Sequence, residues 1–391
     1  MQVGRLKFRG DPYIWFAIIC LSLIGLLAVY SATGSLAFKK QGGNTEYFLF
    51  KHALFLFGGF FLMYFFHLLD YKYFSRISQL AVIIAVPLLL GTLFFGNDIN
   101  AAKRTITIFG ITFQSSDFAR FALIMFLARY LSKMQEELNS LKGFLVILAW
   151  ICIICILIMP ENLSTSLVLF FTSCIVLFIG NARLRHLALL AGSFALVALI
   201  GLLVLFKTPE NILPGRASTW KARIENFRGG DSTESFQTIQ AKIAVSTGGL
   251  TGKGPGKGEQ SAYLPEAFSD FIFAVIIEEY GLIFGGITVV FLYLLILYRT
   301  IRIVLKSPKA FGALLALGLA FSLVLQAFIH MAIATSLFPV TGLTLPLVSL
   351  GGTSIIFTSA TFGVLLSVSR AVEEQEELQS ENHKEERTVV A

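Results

Sequence analysis

The chain has 391 residues, 55% hydrophobic and only 14% charged, with a net charge of +7 and a mean hydropathy of +0.76. That composition excludes an ordinary soluble domain and makes nucleic acid an unexpected partner. The apolar residues run in long continuous stretches instead of the short alternating segments of an outer-membrane barrel, so the expected class is an all-α polytopic membrane protein.

Runs long enough to cross roughly 30 Å of hydrocarbon fall near Asp11–Ala32, Tyr47–Leu69, Ile77–Phe95, Asp117–Leu131, Phe144–Met159, Leu163–Gly180, Leu187–Phe206, Phe271–Tyr298, Phe311–Ala334 and Pro346–Ser369. Ten spans put both termini on one side. That side holds Arg5, Lys7, Arg9, Lys72, Arg76, Arg129, Lys133, Lys142, Arg183, Arg185, Arg299, Arg302, Lys306, Lys309 and Arg370, against Lys39, Lys40, Lys103 and Arg104 on the other. Basic residues are retained in the cytoplasm, which makes the termini cytoplasmic and the first span a retained helix, not a cleaved signal.

The four cysteines, Cys20, Cys152, Cys155 and Cys174, all fall within spans among apolar neighbours and read as small packing residues. No metal-ligand spacing appears among the histidines, and no ligand cluster marks a site for a divalent cation. His330, in the ninth span, reads as an interhelical hydrogen-bonding group.

One long connection, residues 207–269, separates the seventh and eighth spans and lies outside the cytoplasm. Within it, Ser235–Val245 has the pattern of a short amphipathic helix lying on the membrane surface, and Gly248–Gly258 that of a flexible turn-rich stretch. Lys253 and Lys257, interleaved with glycines, could present cations and backbone N–H groups to a phosphate. The connection leads to Asp270, a carboxylate at the outer mouth of the eighth span. Along a continuous helix Glu278 would lie about 80° around from Asp270, and Glu279 about 180°. Glu278 would also lie about 12 Å deeper, and an ion pair with another helix is expected for at least one of the two glutamates. Lys51, Asp117 and Arg120 are the other charges within spans; Asp117 and Arg120, one turn apart, suit a mutual pair.

Pro339–Ser354 places two prolines, three glycines and several hydroxyls at the start of the last span, which implies a broken, re-entrant or cavity-lining segment. Beyond Arg370 the tail, residues 371–391, is rich in glutamate and reads as disordered and partner-docking.

Four of these segments, in order along the chain, resemble one family. Tyr263–Gly281 is similar to LPEAHTDFIFAVIGEELG, Pro339–Ser354 to PVTGLPLPFVSYGGSS, Ala102–Arg120 to GARRWI…FQPSEFAK, and Pro160–Ser166 to PDLGT. These patterns belong to the SEDS proteins, the FtsW/RodA/SpoVE group, and the resemblance extends over residues 1–370. It departs at Phe268-Ser269 for the family's His-Thr, at Asp117 for its glutamate, and at Leu350 for its tyrosine.

The resemblance implies a SEDS fold of ten transmembrane helices in the bacterial cytoplasmic membrane. It also implies a peptidoglycan glycosyltransferase that polymerises lipid II into glycan strands at the outer face, beside a class B penicillin-binding protein and other membrane proteins of the division complex. The family's essential aspartate falls on Asp270, the expected base. Displacing a sugar-linked pyrophosphate needs a base at the acceptor hydroxyl and cations at the departing phosphates. Arg223, Lys242 and Lys253 are the first candidates for those cations, with Lys257, Lys103, Arg104, Arg216 and Lys221 behind them; a divalent cation could share the task, and Glu266 and Ser349 are further substrate-binding candidates. Septal synthesis, as in FtsW, is favoured over a RodA-like elongation role. A lipid II flippase is the rival of another class; it predicts internal repeats and ionisable groups near the midplane. A scaffold that recruits its synthase is the third.

Overall fold

The computed structural model describes residues 9–99, 102–108, 111–134, 140–208, 217–228, 236–264 and 266–390. Helices occupy every expected span: α1 (Pro12–Ala32), α3 (Thr45–Leu68), α4 (Lys72–Phe95), α5 (Ser115–Lys133), α6 (Leu141–Ile158), α7 (Leu163–Ile179), α8 (Leu184–Lys207), the pair α11 (Ile272–Gly281) and α12 (Thr288–Lys306), α13 (Ala310–Ala334) and α14 (Thr353–Val390). A short α2 (Gly34–Gln41) follows α1, and α9 (Ala217–Arg228) and α10 (Phe236–Gly248) lie in the long connection. Among the described residues, seven helices are long and apolar enough to cross a membrane, counting the α11–α12 stretch as one; α6 and α7 are shorter apolar helices. The α5 helix is held back by Asp117, Arg120, Arg129 and Lys133. The protein is a multi-pass membrane protein.

Local chemistry sets the helix starts. Asp11 caps α1 through bonds from the N–H groups of Tyr13 (2.9 Å) and Ile14 (3.3 Å), with Pro12 in the first turn. Asn44, Ser140 and Asn162 cap α3, α6 and α7 in the same way. Without water between helices, close packing depends on small residues. A Cβ on Gly363 would lie 2.5 Å from the Met63 carbonyl oxygen, and one on Gly59 2.5 Å from the Ser359 hydroxyl, which brings α14 against α3. Of the seven long spans α13 and α14 are the most enclosed and α8 the least.

Three features depart from the expectations. Residues between α4 and α5 form a small antiparallel meander, β1 (Asn97–Ile99), β2 (Ala102–Ile108) and β3 (Ile111–Phe113). Second, the expected disordered tail is helical: α14 continues to Val390. Its composition favours helix, and Glu374, Glu376 and Glu377 pair with Arg9 and Lys306.

Third, the eighth span is not one rod. Gly281 takes φ 77° and ψ 177°, and six residues of π-helix, Leu282–Ile287, follow before α12. A Cβ on Gly285 would lie 2.7 Å from the Ile276 carbonyl oxygen. Along a continuous helix those residues would be about 13 Å apart, so the chain folds back on itself at Gly281.

Candidate active site

Asp270 sits on the turn before α11, half-buried, and accepts a bond from its neighbour Ser269 (Oγ to Oδ1, 3.0 Å). The turn is built by the backbone. Glu266 adopts φ 57°, and its carbonyl accepts from the N–H groups of Ser269 and Asp270, both at 3.0 Å.

The segment 339–352 descends beside α13 and locks onto this turn. Gln326 donates to the Thr344 carbonyl (2.7 Å), the His330 ring nitrogen Nδ1 bonds the Leu343 carbonyl (2.7 Å), and the Tyr293 hydroxyl donates to the Pro346 carbonyl (2.6 Å). A tight turn over Leu345–Val348 follows, with Leu347 at φ 64°. The Leu350 N–H then donates to the Phe268 carbonyl (3.0 Å), and the Ser349 hydroxyl to the Ser269 carbonyl (2.8 Å). Non-helical backbone at membrane depth persists only where protein or water satisfies it, and these bonds do so for the broken segment inferred from the two prolines. His330 hydrogen-bonds as expected of a buried histidine, but to the backbone of this non-helical segment and not to a second helix.

Asp270 is deeper than its position in the sequence suggested. A Cβ on Gly25 would meet the Leu347 carbonyl oxygen at 2.8 Å and the Val348 Cα at 2.9 Å. Gly25 lies seven residues before the end of α1 at Ala32, about 10 Å along the helix. At the other end of α11, Glu279 bonds the hydroxyl of Ser31, next to that end of α1. So α11 rises from Asp270 toward the end of the molecule that carries α2 and the long connection, and Glu278 lies above Asp270, not below it. The inversion follows from the reversal at Gly281, which a period of 3.6 residues does not reveal.

A buried polar relay adjoins the site. Asp117 and Arg120, 4% and 6% exposed, pair at 3.5 Å. Arg120 also donates to Gln326, and Ser354 lies against Asp117 and 3.4 Å from the Thr344 hydroxyl. The Thr353 hydroxyl donates to the Thr112 carbonyl (2.8 Å) and accepts from the Gln114 N–H (3.3 Å), which brings the meander to the same place. The first turns of α5 and α14 thus meet at the segment that braces the Asp270 turn. Helix N-termini favour anions.

The expected substrate-binding residues divide. Lys253 is bound to the buried carboxylate of Glu278 at 2.9 Å, and this bond raises its pKa above the usual lysine value. Ser349 is 1% exposed and committed to Leu345 and Ser269, so it ties the turn together and does not face a ligand. Glu266 contributes its carbonyl. Lys242 on α10 and Lys257 on the glycine stretch are exposed, while Lys221 bonds the Thr208 carbonyl and pairs with Glu225. Lys103 and Arg104 fall on β2 and Arg223 on α9; their side chains, and all of Arg216, lie outside the described residues. Among the described residues no group of three or more His, Cys, Asp and Glu could hold a metal ion.

Two expectations for the long connection are corrected. The α10 helix packs on α11 instead of lying on the membrane: Ala241 and Ala244 are fully buried, and a Cβ on Gly248 would fall 2.1 Å from the Ile277 carbonyl oxygen. The glycine stretch is not a free nest. Its Lys253 and Gly254 N–H groups donate to the carbonyls of Glu278 and Glu279 (2.9 Å each), and its Gly249 and Leu250 carbonyls accept from Leu282 and Ile283 (2.9 and 3.1 Å). Glycine lets backbone approach backbone where the chain reverses.

Residues 12–374 match the FtsW/RodA/SpoVE family, described as "Cell cycle protein". The stage V sporulation protein E of Bacillus subtilis (strain 168) is 34% identical over 370 residues, covering 93% of this chain and 98% of the relative. A probable peptidoglycan glycosyltransferase FtsW of Geobacter sp. (strain M18) is 33% identical over 372 residues, covering 92% and 96%. Among solved structures, the rod shape determining protein RodA of Thermus thermophilus superposes with a TM-score of 0.68 at 24% identity, covering 94% of this chain and 98% of that one. A chain from a structure of a peptidoglycan synthase complex superposes with a TM-score of 0.74 at 24% identity, covering 94% and 99%.

Proposed function

The chain belongs to the FtsW/RodA/SpoVE family of cell cycle proteins, and from that premise we propose that it is a peptidoglycan glycosyltransferase that polymerises lipid II, with Asp270 as its base. One observation carries the assignment of the base: Asp270 is held on a turn that the distant 339–352 segment braces through two bonds, recessed about 10 Å from the end of the molecule that bears the long connection. That end faces outward and both termini face the cytoplasm, the orientation given by the basic short loops.

The 4-hydroxyl of the acceptor GlcNAc loses its proton to Asp270 as its oxygen attacks the anomeric carbon of the lipid-linked strand. The bond to undecaprenyl pyrophosphate breaks, inverting that carbon. The leaving group departs ionised, so no second carboxylic acid is required. The first turns of α5, α11 and α14 favour the pyrophosphate, with Lys242, Lys257, Lys103, Arg104 and Arg223 as its candidate cations. Lys253 drops from this set because Glu278 occupies it. A class B penicillin-binding protein is the partner this reading carries, and septal synthesis the role.

The test is lipid II polymerisation by the purified protein with its class B synthase, native against Asp270→Asn, at equal folding and complex yield. Glycan strands from the native complex only would support both the activity and the base. Strands from both forms would remove Asp270 from the mechanism, and none from either would turn the assignment toward transport or scaffolding.

A further inference from the structure

Resting on the proposed transferase, the geometry points to Glu278 as a positioning residue of the same site: its carboxylate closes, at the outer end, the stretch of chain whose inner tip carries Asp270. Glu278 is fully buried. A buried carboxylate is tolerated only with several donors around it. Its Oε1 accepts from Lys253 Nζ (2.9 Å), the Glu259 N–H (3.0 Å) and the Gln260 N–H (3.3 Å), and its Oε2 accepts from the Gln260 N–H (3.2 Å).

Those two N–H groups open the 3-10 turn Gln260–Ala262, the start of the limb that descends to Asp270, and α11 is the limb that returns. Residues 260–264 and 266–278 therefore form two limbs pinned at both ends. Glu278 holds the two limbs together at the top, and Ser349 with Leu350 holds the tip. Beside it, Glu279 ties the same corner to Ser31 of α1.

A carboxylate suits this place because it accepts on both oxygens and donates on neither. Glutamine in its place would turn an NH2 group toward one of the donors. The descending limb would then lose part of its anchor, and Asp270 would be held from one side only. A displacement of about 1 Å at a reacting group is enough to lower turnover by orders of magnitude. Lys253 acts here as a partner of Glu278, and its removal leaves the two N–H bonds in place.

Two measurements on the same full-length preparations test this: backbone hydrogen exchange in lipid nanodiscs, and polymerisation rate against lipid II concentration with the synthase partner. In Glu278→Gln, exchange across residues 253–270 is expected to rise about tenfold or more, and maximal turnover to fall about tenfold with apparent KM within about twofold. Lys253→Met is expected to move exchange and turnover in the same directions by about threefold, again without a change in KM. Unchanged exchange in Glu278→Gln overturns the proposal, as does a raised KM at unaltered turnover in Lys253→Met, which would make that lysine a substrate ligand. If Glu278→Gln does not fold, Lys253→Met decides on the same criteria. Raised exchange alongside native protein that makes no strands would support the closure by Glu278 and overturn the transferase reading.

Discussion

Ser349 donates its hydroxyl to the carbonyl of Ser269, 80 residues away in sequence and 2.8 Å away in space, while accepting the Leu345 N–H at 2.8 Å. One buried hydroxyl thus joins the turn of the 339–352 segment to the turn that carries Asp270. Ser349→Ala leaves the Ser269 carbonyl and the Leu345 N–H without this partner, at a cost of about 1–3 kcal/mol. A lower melting temperature together with reduced turnover is the expected outcome. Native turnover in a destabilised variant would show that the tie serves folding alone.

Gly25→Ala puts a methyl group 2.8–2.9 Å from the backbone of Leu347 and Val348. Neither contact can yield by a side-chain rotation, so α1 or the turn must move, at a cost of about 1–3 kcal/mol. Thermal denaturation compared with Gly34→Ala, where nothing lies within 4 Å, separates the clash from the general effect of removing a glycine.

Arg120→Met strips Asp117 of its ion-pair partner in a buried place and leaves the Gln326 carbonyl oxygen without its donor. An uncompensated buried charge costs about 3–5 kcal/mol. Arg120→Lys, which keeps the charge but not the fork, should fall between the two in melting temperature.

Gly281→Ala is expected to be the most damaging of these changes. Its φ of 77° is unfavourable for any residue with a Cβ, and that Cβ would meet the Leu250 carbonyl oxygen and the Gly252 nitrogen at 2.4 Å each. Strain and overlap together amount to about 3 kcal/mol or more. Loss of monodisperse protein checks this; a normal yield would contradict the reversal at this residue.

At the opposite end, Asp11 combines the cap of α1 with a 2.6 Å ion pair to Arg299, and is 5% exposed in its side chain. Asp11→Ala should cost about 1–3 kcal/mol. The pairs of Arg9 and Lys306 with the tail are roughly half open to solvent, and breaking either should cost less than about 1 kcal/mol. Melting temperatures at low and high salt distinguish the two cases, since screening affects the exposed pairs more.

Much of this protein is legible along the chain because a bilayer imposes a local rule: about 20 apolar residues make a helix whatever surrounds them. Asp11–Ala32 and Phe311–Ala334 could therefore be placed from composition, and the prolines and glycines of 339–354 announced a broken segment before any contact was known. The meander over Asn97–Phe113 was missed because three short strands without a long apolar run leave no comparable mark.

What only tertiary structure decided is direction and partnership. Apolar runs identify spans, yet nothing in Ile272–Lys306 shows that α11 rises and α12 descends, because the reversal depends on Gly281 taking a positive φ while the glycine stretch supplies its backbone partners. For the same reason Lys253 looked like a free cation and Ser349 like a substrate contact. Each is engaged by a residue far along the chain, Glu278 and Ser269, and hydrogen bonds over that separation are set by packing, which local sequence does not encode.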